Sequence, residues 1–212
     1  MDRKLMEREA RREFVLDAAR GLFAEKGVDT TSMDDIAAAV GYTRRTLYSY
    51  FKRRDEISLL VFTEDLAMRW RAQKAAIATV ISGRDKIIAW GESFYRFAGA
   101  NPHAMRLQFY WDFKGIDRER LSDETFATFE TLNNELADGL RAMFRLGVSD
   151  GSLRADLNID MSISQYLYSL RSILNRALSP AYTFARFDPD DYVNHYLDLF
   201  DRGIRNTGGD NQ

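Results

Sequence analysis

The stretch from residue 31 to residue 57 restricts the fold more than any other part of the chain: Thr-Ser-Met-Asp-Asp-Ile-Ala-Ala-Ala-Val-Gly-Tyr-Thr-Arg-Arg-Thr-Leu-Tyr-Ser-Tyr-Phe-Lys-Arg-Arg-Asp-Glu-Ile. Thr31 and Ser32 are N-cap candidates, and Asp34 or Asp35 completes a capping box. Both carboxylates also suit the first turn of a helix. Ile36, Ala37 and Val40 give that helix an inner face. Gly41 supplies a tight turn, and Thr43 caps a second short helix from Arg44 to Phe51. Leu47 and Phe51, four residues apart, anchor the second helix inward, which leaves Arg44, Arg45, Tyr48 and Ser49 outside. Two short helices joined at a glycine, the second opening with arginine and tyrosine, have the form of a helix-turn-helix that docks in a major groove.

The flanking sequence fits that reading. Residues 8–26 carry Phe14, Val15, Ala18, Ala19, Leu22 and Phe23 at helical spacing, and Gly27 ends this first helix as a C′ residue. The net charge of −2 is unevenly spread. Residues 1–54 hold 12 Lys and Arg against 9 Asp and Glu, a balance of +3, and the remainder holds 18 against 23, a balance of −5. A basic front quarter on an acidic remainder suits a small DNA-binding head on a body that avoids DNA.

The body reads as helical throughout, so the fold class is all-α. Three prolines in 212 residues and few Val/Ile runs favour helices over strands, and 45% hydrophobic residues suffice for a core. The pattern predicts helices over 55–81, from Ser82-Gly83 to about Ala100, from Asn101-Pro102 to near Lys114-Gly115, from Ser122 to Leu146, and over 160–178 and 189–204. Gly147 to Asp156 reads as a turn-rich loop, a second loop surrounds Pro180, and the polar tail 206–212 reads as disordered. The domain reading is a helix-turn-helix head over 1–54, a helical ligand-binding and dimerisation body over 55–205, and the tail. Cysteine is absent, which excludes a disulfide framework and a thiolate metal site. The charged start lacks the apolar stretch of a signal peptide and no apolar run reaches 18 residues, so the expectation is a soluble, cytoplasmic protein with no membrane partner.

The first 60 residues resemble the TetR family of bacterial transcriptional regulators. The resemblance rests on Ala18-Ala19, Leu22-Phe23 and Gly27, then on Thr31-Ser32-Met33, Ile36-Ala37, Val40-Gly41, Thr43, Leu47-Tyr48, Tyr50-Phe51-Lys52 and Asp55-Glu56-Ile57. Beyond residue 60 it is one of architecture. It implies a homodimer whose two recognition helices enter successive major grooves of a palindromic operator, with the last two helices of each body forming a four-helix interface. It also implies a small molecule in the body that spreads the heads. Carried over by position, Thr43, Arg44, Arg45, Tyr48 and Ser49 face bases and backbone, while Thr31, Ser32, Tyr50, Lys52 and Arg54 hold phosphates. The Arg44-Arg45 pair departs from the family's habit of a small residue at one of these positions, and bidentate arginine to guanine is the commonest specific readout.

Residues 90–113 hold eight aromatics, which is either helical core or the wall of an apolar cavity. Trp90, Phe94, Phe97, Phe109, Tyr110, Trp111 and Phe113, with Phe126, Phe129 and Tyr166 on further walls, are the candidate ligand-lining set. His103, Arg106, Gln108, Asn133 and Asn134 are polar candidates, although His103 beside Pro102 also suits a helix surface. In the last two helices Leu167, Leu170, Ile173, Leu174, Tyr192, Tyr196, Leu199 and Phe200 form apolar stripes with further apolar residues beside them, and a helix apolar on two faces needs partners on both sides. These are the candidate dimer residues. His195 lies near Asp191 and Asp198, which reads as an interface rim rather than a metal site. Two histidines 92 positions apart and no thiol give a nucleophilic triad no support, and no phosphate-binding glycine loop is present. The expectation is a ligand-responsive repressor with no cofactor and no enzymatic activity. A DNA-bound protein-interaction factor of the same fold, without an inducer, is the alternative.

Overall fold

The computed structural model describes residues 3–178 and 187–208. The loop expected around Pro180 and the tail residues 209–212 lie outside the described residues. Among the described residues the chain is all-α, with α1 (Arg3–Lys26), α2 (Met33–Ala39), α3 (Arg44–Tyr48), α4 (Arg54–Ile77), α5 (Gly83–Ala100), α6 (Pro102–Lys114), α7 (Asp123–Ser149), α8 (Ile159–Leu178) and α9 (Pro189–Ile204), and a 3-10 turn at Arg118–Arg120. No helix among them is long and apolar enough to cross a membrane. The chain divides into two compact units, one of Met1–Ala67 with His103–Leu132 and one of Met68–Pro102 with Asn133–Gln212.

In the first unit α1 buries Val15, Leu16, Ala19 and Phe23, a stripe spaced by helical turns, and packs on α2, which in turn packs on α3. Phe14, expected in that stripe, is exposed because it falls one helical step off the face. The helix starts five residues earlier than expected, where Arg3 Nε donates to Glu7 at 3.0 Å across one turn. Ser32 caps α2 reciprocally: its Oγ accepts from the Asp35 N–H at 3.1 Å, and Asp35 Oδ2 accepts from the Ser32 N–H at 2.7 Å. Helix α3 ends at Tyr48 rather than Phe51, since the N–H groups of Tyr50 and Phe51 both turn back to the Leu47 carbonyl, at 3.0 and 3.1 Å. Phe51 stays buried, with the Arg12 guanidinium 4.7 Å over its ring. The Glu56 carboxylate accepts from the Lys52 N–H at 2.7 Å and the Ser122 N–H at 2.8 Å, so it serves two otherwise open backbone donors at the starts of α4 and α7.

The second unit packs α5 against α8 and α9, and α8 against α9. Trp90 meets Phe94 edge-on at 5.7 Å, Tyr166 lies 5.7 Å from Trp90, and Tyr166 stacks on Phe200 at 4.5 Å. The Tyr166 hydroxyl donates to the Ile87 carbonyl at 2.7 Å, which satisfies a fully buried polar atom. Helix α7 runs to Ser149, past the expected break at Gly147. Here glycine serves close approach rather than a turn: a Cβ on Gly83 would strike the Gly147 backbone, and Leu153 covers the other side of Gly147. Arg84 forms a bidentate pair with Asp201, with Nη2 to Oδ2 at 2.7 Å.

Candidate nucleic-acid interface and ligand cleft

Helix α3 has five residues, and its outward side chains are fixed by Leu47, which is fully buried beneath them. Thr43 caps the helix, its Oγ accepting from the Thr46 N–H at 3.1 Å. Arg44 and Arg45 at its start and Tyr48 at its end are exposed. The Arg44 guanidinium lies 5.6 Å over the Tyr48 ring and 3.3 Å from Asp34, and both neighbours raise it above its ordinary value, Tyr48 foremost. Arg44 is thus pre-oriented, whereas Arg45 is simply exposed on the helix. Ser49 is exposed but closes the helix, its Oγ donating to the Thr46 carbonyl at 2.6 Å.

The expected phosphate ligands separate into two groups. Ser32, Lys52 and part of Tyr50 face outward. Thr31 does not: it is completely buried, and its hydroxyl donates to the Gly27 carbonyl at 2.7 Å. Arg54 is also turned in, donating to the carbonyls of Asp29 at 2.8 Å and Thr31 at 3.1 Å. These two residues organise the approach to α2, because a polar group buried beside a loop must satisfy that loop's carbonyls.

The structure adds cations that the motif-centred reading passed over. Lys4, Arg8 and Arg11 share a groove of about 390 Å³ with Glu7, Ser49 and Tyr50. Arg11 Nη1 donates to the Tyr50 hydroxyl at 3.4 Å, and that contact raises the guanidinium above its ordinary value. The signal was present in the sequence as the spacing 4, 8 and 11, one face of a helix reaching back beside the end of α3.

The candidate ligand residues fall into both units. Trp90, Phe94 and Tyr166 are fully buried in mutual contact and form core in the second unit, and Phe97 is half-buried there. Beside them Arg69 sits 4.1 Å over the Phe94 ring. The Gln73 amide and the Trp90 indole N–H are buried with no hydrogen-bond partner among the described residues. In the first unit Trp111 is buried, Phe109 is half-buried, Phe126 lies 4.7 Å under Arg118, and Phe129 lies 6.1 Å from Phe62. Phe113 is 96% exposed at the end of α6. Gln108 is buried and donates to Asp112 at 2.9 Å, while Asn133 and Asn134 are exposed. His103 and Tyr110 do line a cleft of about 520 Å³, together with Arg106 and with Arg20, Phe23 and Asp65, which sequence reasoning missed.

Among the candidate dimer residues, Leu170 and Leu174 are buried within their own chain and belong to its core. Leu167, Ile173, Tyr192, Tyr196 and Phe200 are half-buried, and Leu199 is 54% exposed. Tyr168 on α8, 66% exposed, joins them.

Comparison with known proteins follows the same division. Residues 15–59 match the family model of bacterial regulatory proteins, tetR family. The chain is 29% identical over 156 residues to the HTH-type transcriptional repressor KstR2 of Rhodococcus jostii strain RHA1, covering 72% of each chain. Its fold matches the structure of the ketosteroid transcriptional regulator KstR2 of Mycobacterium tuberculosis with a TM-score of 0.66 at 18% identity, over 92% of this chain and 95% of that one. A TetR/AcrR family regulator from Thermobifida fusca YX-ER1 matches with a TM-score of 0.68 at 23% identity, over 92% and 99%. By their names these relatives are transcriptional regulators.

Proposed function

We propose that this chain, a transcriptional regulator of the TetR family, is a repressor that binds a palindromic operator as a homodimer and is released by a small, largely apolar or aromatic effector. The observation that carries the DNA-reading part is the exposed surface of α3, where Arg44 and Arg45 at its start and Tyr48 at its end stand over the buried Leu47 anchor. Two such helices must lie about 34–36 Å apart to enter successive major grooves. Residues 1–54 form the reading head, and the cations Lys4, Arg8 and Arg11 extend its phosphate contacts. A protein that reads chromosomal operators would act in the cytoplasm, which is the localisation this reading carries.

Gln73 and Trp90 support an effector within the helical body. A buried amide and a buried indole N–H without partners among the described residues cost stability, and a ligand that supplies a polar group to either would offset that cost. An effector that prefers the released form by about 1–3 kcal/mol weakens operator binding roughly 5–150-fold. Equal affinity for both forms would change nothing. Similarity to a protein whose name is that of a repressor supports repression as the direction of control.

The test is binding to DNA flanking the protein's own gene, at several salt concentrations, for wild type and Arg45→Ala. Site-specific binding that Arg45→Ala weakens on the operator supports the reading. Binding that depends steeply on salt, shows no sequence preference and is unchanged in the variant would sink it.

A further inference from the structure

The first unit contains an acidic site that the reading of DNA does not use. Asp65 on α4 is 4% exposed through its side chain, and neither carboxylate oxygen has a hydrogen-bond partner among the described residues. Its nearest cation is Arg20 of α1, whose Nε stands 3.4 Å away. That guanidinium is shared: Nη1 donates to Asp17 at 2.8 Å, and Nη2 is held by Glu64. One guanidinium therefore serves three carboxylates, and Asp65 receives its poorest contact. His103 of α6 lines the same cleft. Burial pushes the carboxyls of Asp65 and Glu64 above the usual range, Arg20 opposing in both cases, which agrees with the geometry of an under-compensated pair.

Asp65 opens onto the cleft of about 520 Å³, a size that suits a small molecule. The other cations on its wall are engaged elsewhere. Arg106 donates to the Ala24 carbonyl at 3.0 Å, and Lys26 pairs with Asp35 at 3.0 Å. Phe23, Val61, Leu107 and the Tyr110 ring provide an apolar surface beyond the carboxylate. We propose that this cleft, which includes only His103, Arg106 and Tyr110 of the candidate effector residues, is a second small-molecule site apart from Gln73 and Trp90, which takes a primary ammonium or amidinium at Asp65 and its flat hydrocarbon part against Phe23 and Leu107.

Such a ligand brings the donors that Asp65 lacks, and a cation desolvated together with a buried carboxylate needs this kind of direct hydrogen bonding. The wall of the cleft includes the last turn of α1 and the segment 27–30, which leads straight into the Ser32 cap of α2. Occupancy therefore acts on the helix-turn-helix from within its own compact unit, to the extent that the ligand prefers one arrangement of that segment.

The experiment is calorimetric titration of the full-length protein with 2-phenylethylamine, with 2-phenylethanol and 3-phenylpropionate as neutral and anionic counterparts. Saturable binding of the amine, at least tenfold weaker for the alcohol and lost for the acid, is expected. Asp65→Asn should lower the amine's affinity at least tenfold, and Leu107→Trp, which fills the cleft, should abolish binding even if Asp65→Asn fails to fold. Gln73→Leu, a change in the body, should leave amine binding intact, so a failure here is distinguishable from a failure of the body effector. Absence of saturable amine binding, equal affinity for amine and alcohol, or binding that survives Leu107→Trp overturns the site.

Discussion

Arg54 holds Asp29 at two points: Nη1 donates to its carbonyl at 2.8 Å and Nη2 lies 3.4 Å from its carboxylate. The same guanidinium reaches the Thr31 carbonyl at 3.1 Å, so the first residue of α4 fixes the loop that delivers α2. The motif's phosphate-contact reading of Arg54 gives way to a structural one, because a fork already committed to two carbonyls has little left for DNA. Arg54→Ala should cost about 1–3 kcal/mol of head stability, since two loop carbonyls lose a charged donor. Its operator binding should weaken without a change in the slope of affinity against salt. A slope reduced by about one ion would restore the phosphate assignment.

Arg44 and Tyr48 act as a pair, the guanidinium lying 5.6 Å over the ring. Arg44→Ala, Arg45→Ala and Tyr48→Ala should each weaken operator binding, by about 1–3 kcal/mol for an arginine that reads a guanine. In double-mutant cycles Arg44 and Tyr48 should couple by more than 0.5 kcal/mol, roughly the threshold for residues in contact, while Arg45 with Tyr48 should be nearly additive. Additivity in both cycles would show that the stacking does not orient Arg44 on DNA.

The head was legible in the sequence because local chemistry dictates it. Ser32, Gly41, Thr43 and Leu47 are capping, turn and anchor residues whose roles depend on neighbours within a few positions. Arg54 and Thr31 were misread because the carbonyls that hold them lie across the loop, which no periodic pattern reports. In the body the helices were legible and the aromatics were not. Trp90 and Phe113 look alike on paper, yet one is fully buried and the other almost fully exposed. Gly147 misled for a related reason: a glycine inside a helix serves packing against Gly83, a partner far away in sequence. Asp65, lacking any motif, was invisible until the fold brought α1 and α6 beside it.

Close packing at Gly91 gives a sharp stability test. A Cβ there would sit on the Tyr166 hydroxyl and press on Leu197 at 2.9 Å. Gly91→Ala should therefore destabilise the protein by about 1–3 kcal/mol, the usual range for overpacking, despite alanine's better helix propensity. Denaturant unfolding measures this directly. An unchanged or raised midpoint would mean that α5 and α8 are farther apart than described.

Acid should weaken the entry to α2 through Asp35. The Ser32 hydroxyl and N–H, followed by Lys26, lower its carboxyl from 3.8 to about 2 in the folded protein. A depressed folded value means that the stabilising contribution is present above the ordinary carboxylate range and is lost as pH falls from about 4 to about 2. Asp35→Asn should be less stable than wild type at neutral pH, and the gap should close across that interval. A gap that persists at pH 2 would assign the effect to packing rather than to charge in the capping box.

Dimerisation is best tested at residues the chain leaves open. Leu170 is fully buried within the protomer, so a charge there breaks the α8–α9 core and reports nothing about association. Tyr168 and Leu199 are instead exposed on α8 and α9, and apolar side chains exposed on adjacent helices mark an interaction surface. The double variant Tyr168→Glu with Leu199→Glu should keep its helical signal and unfold near the wild-type midpoint. In sedimentation it should run as a monomer, and its operator affinity should fall at least tenfold, because a single head loses the second half-site. An intact dimer in that variant would place the interface away from these two residues. A folded monomer with full operator affinity would show that one head suffices.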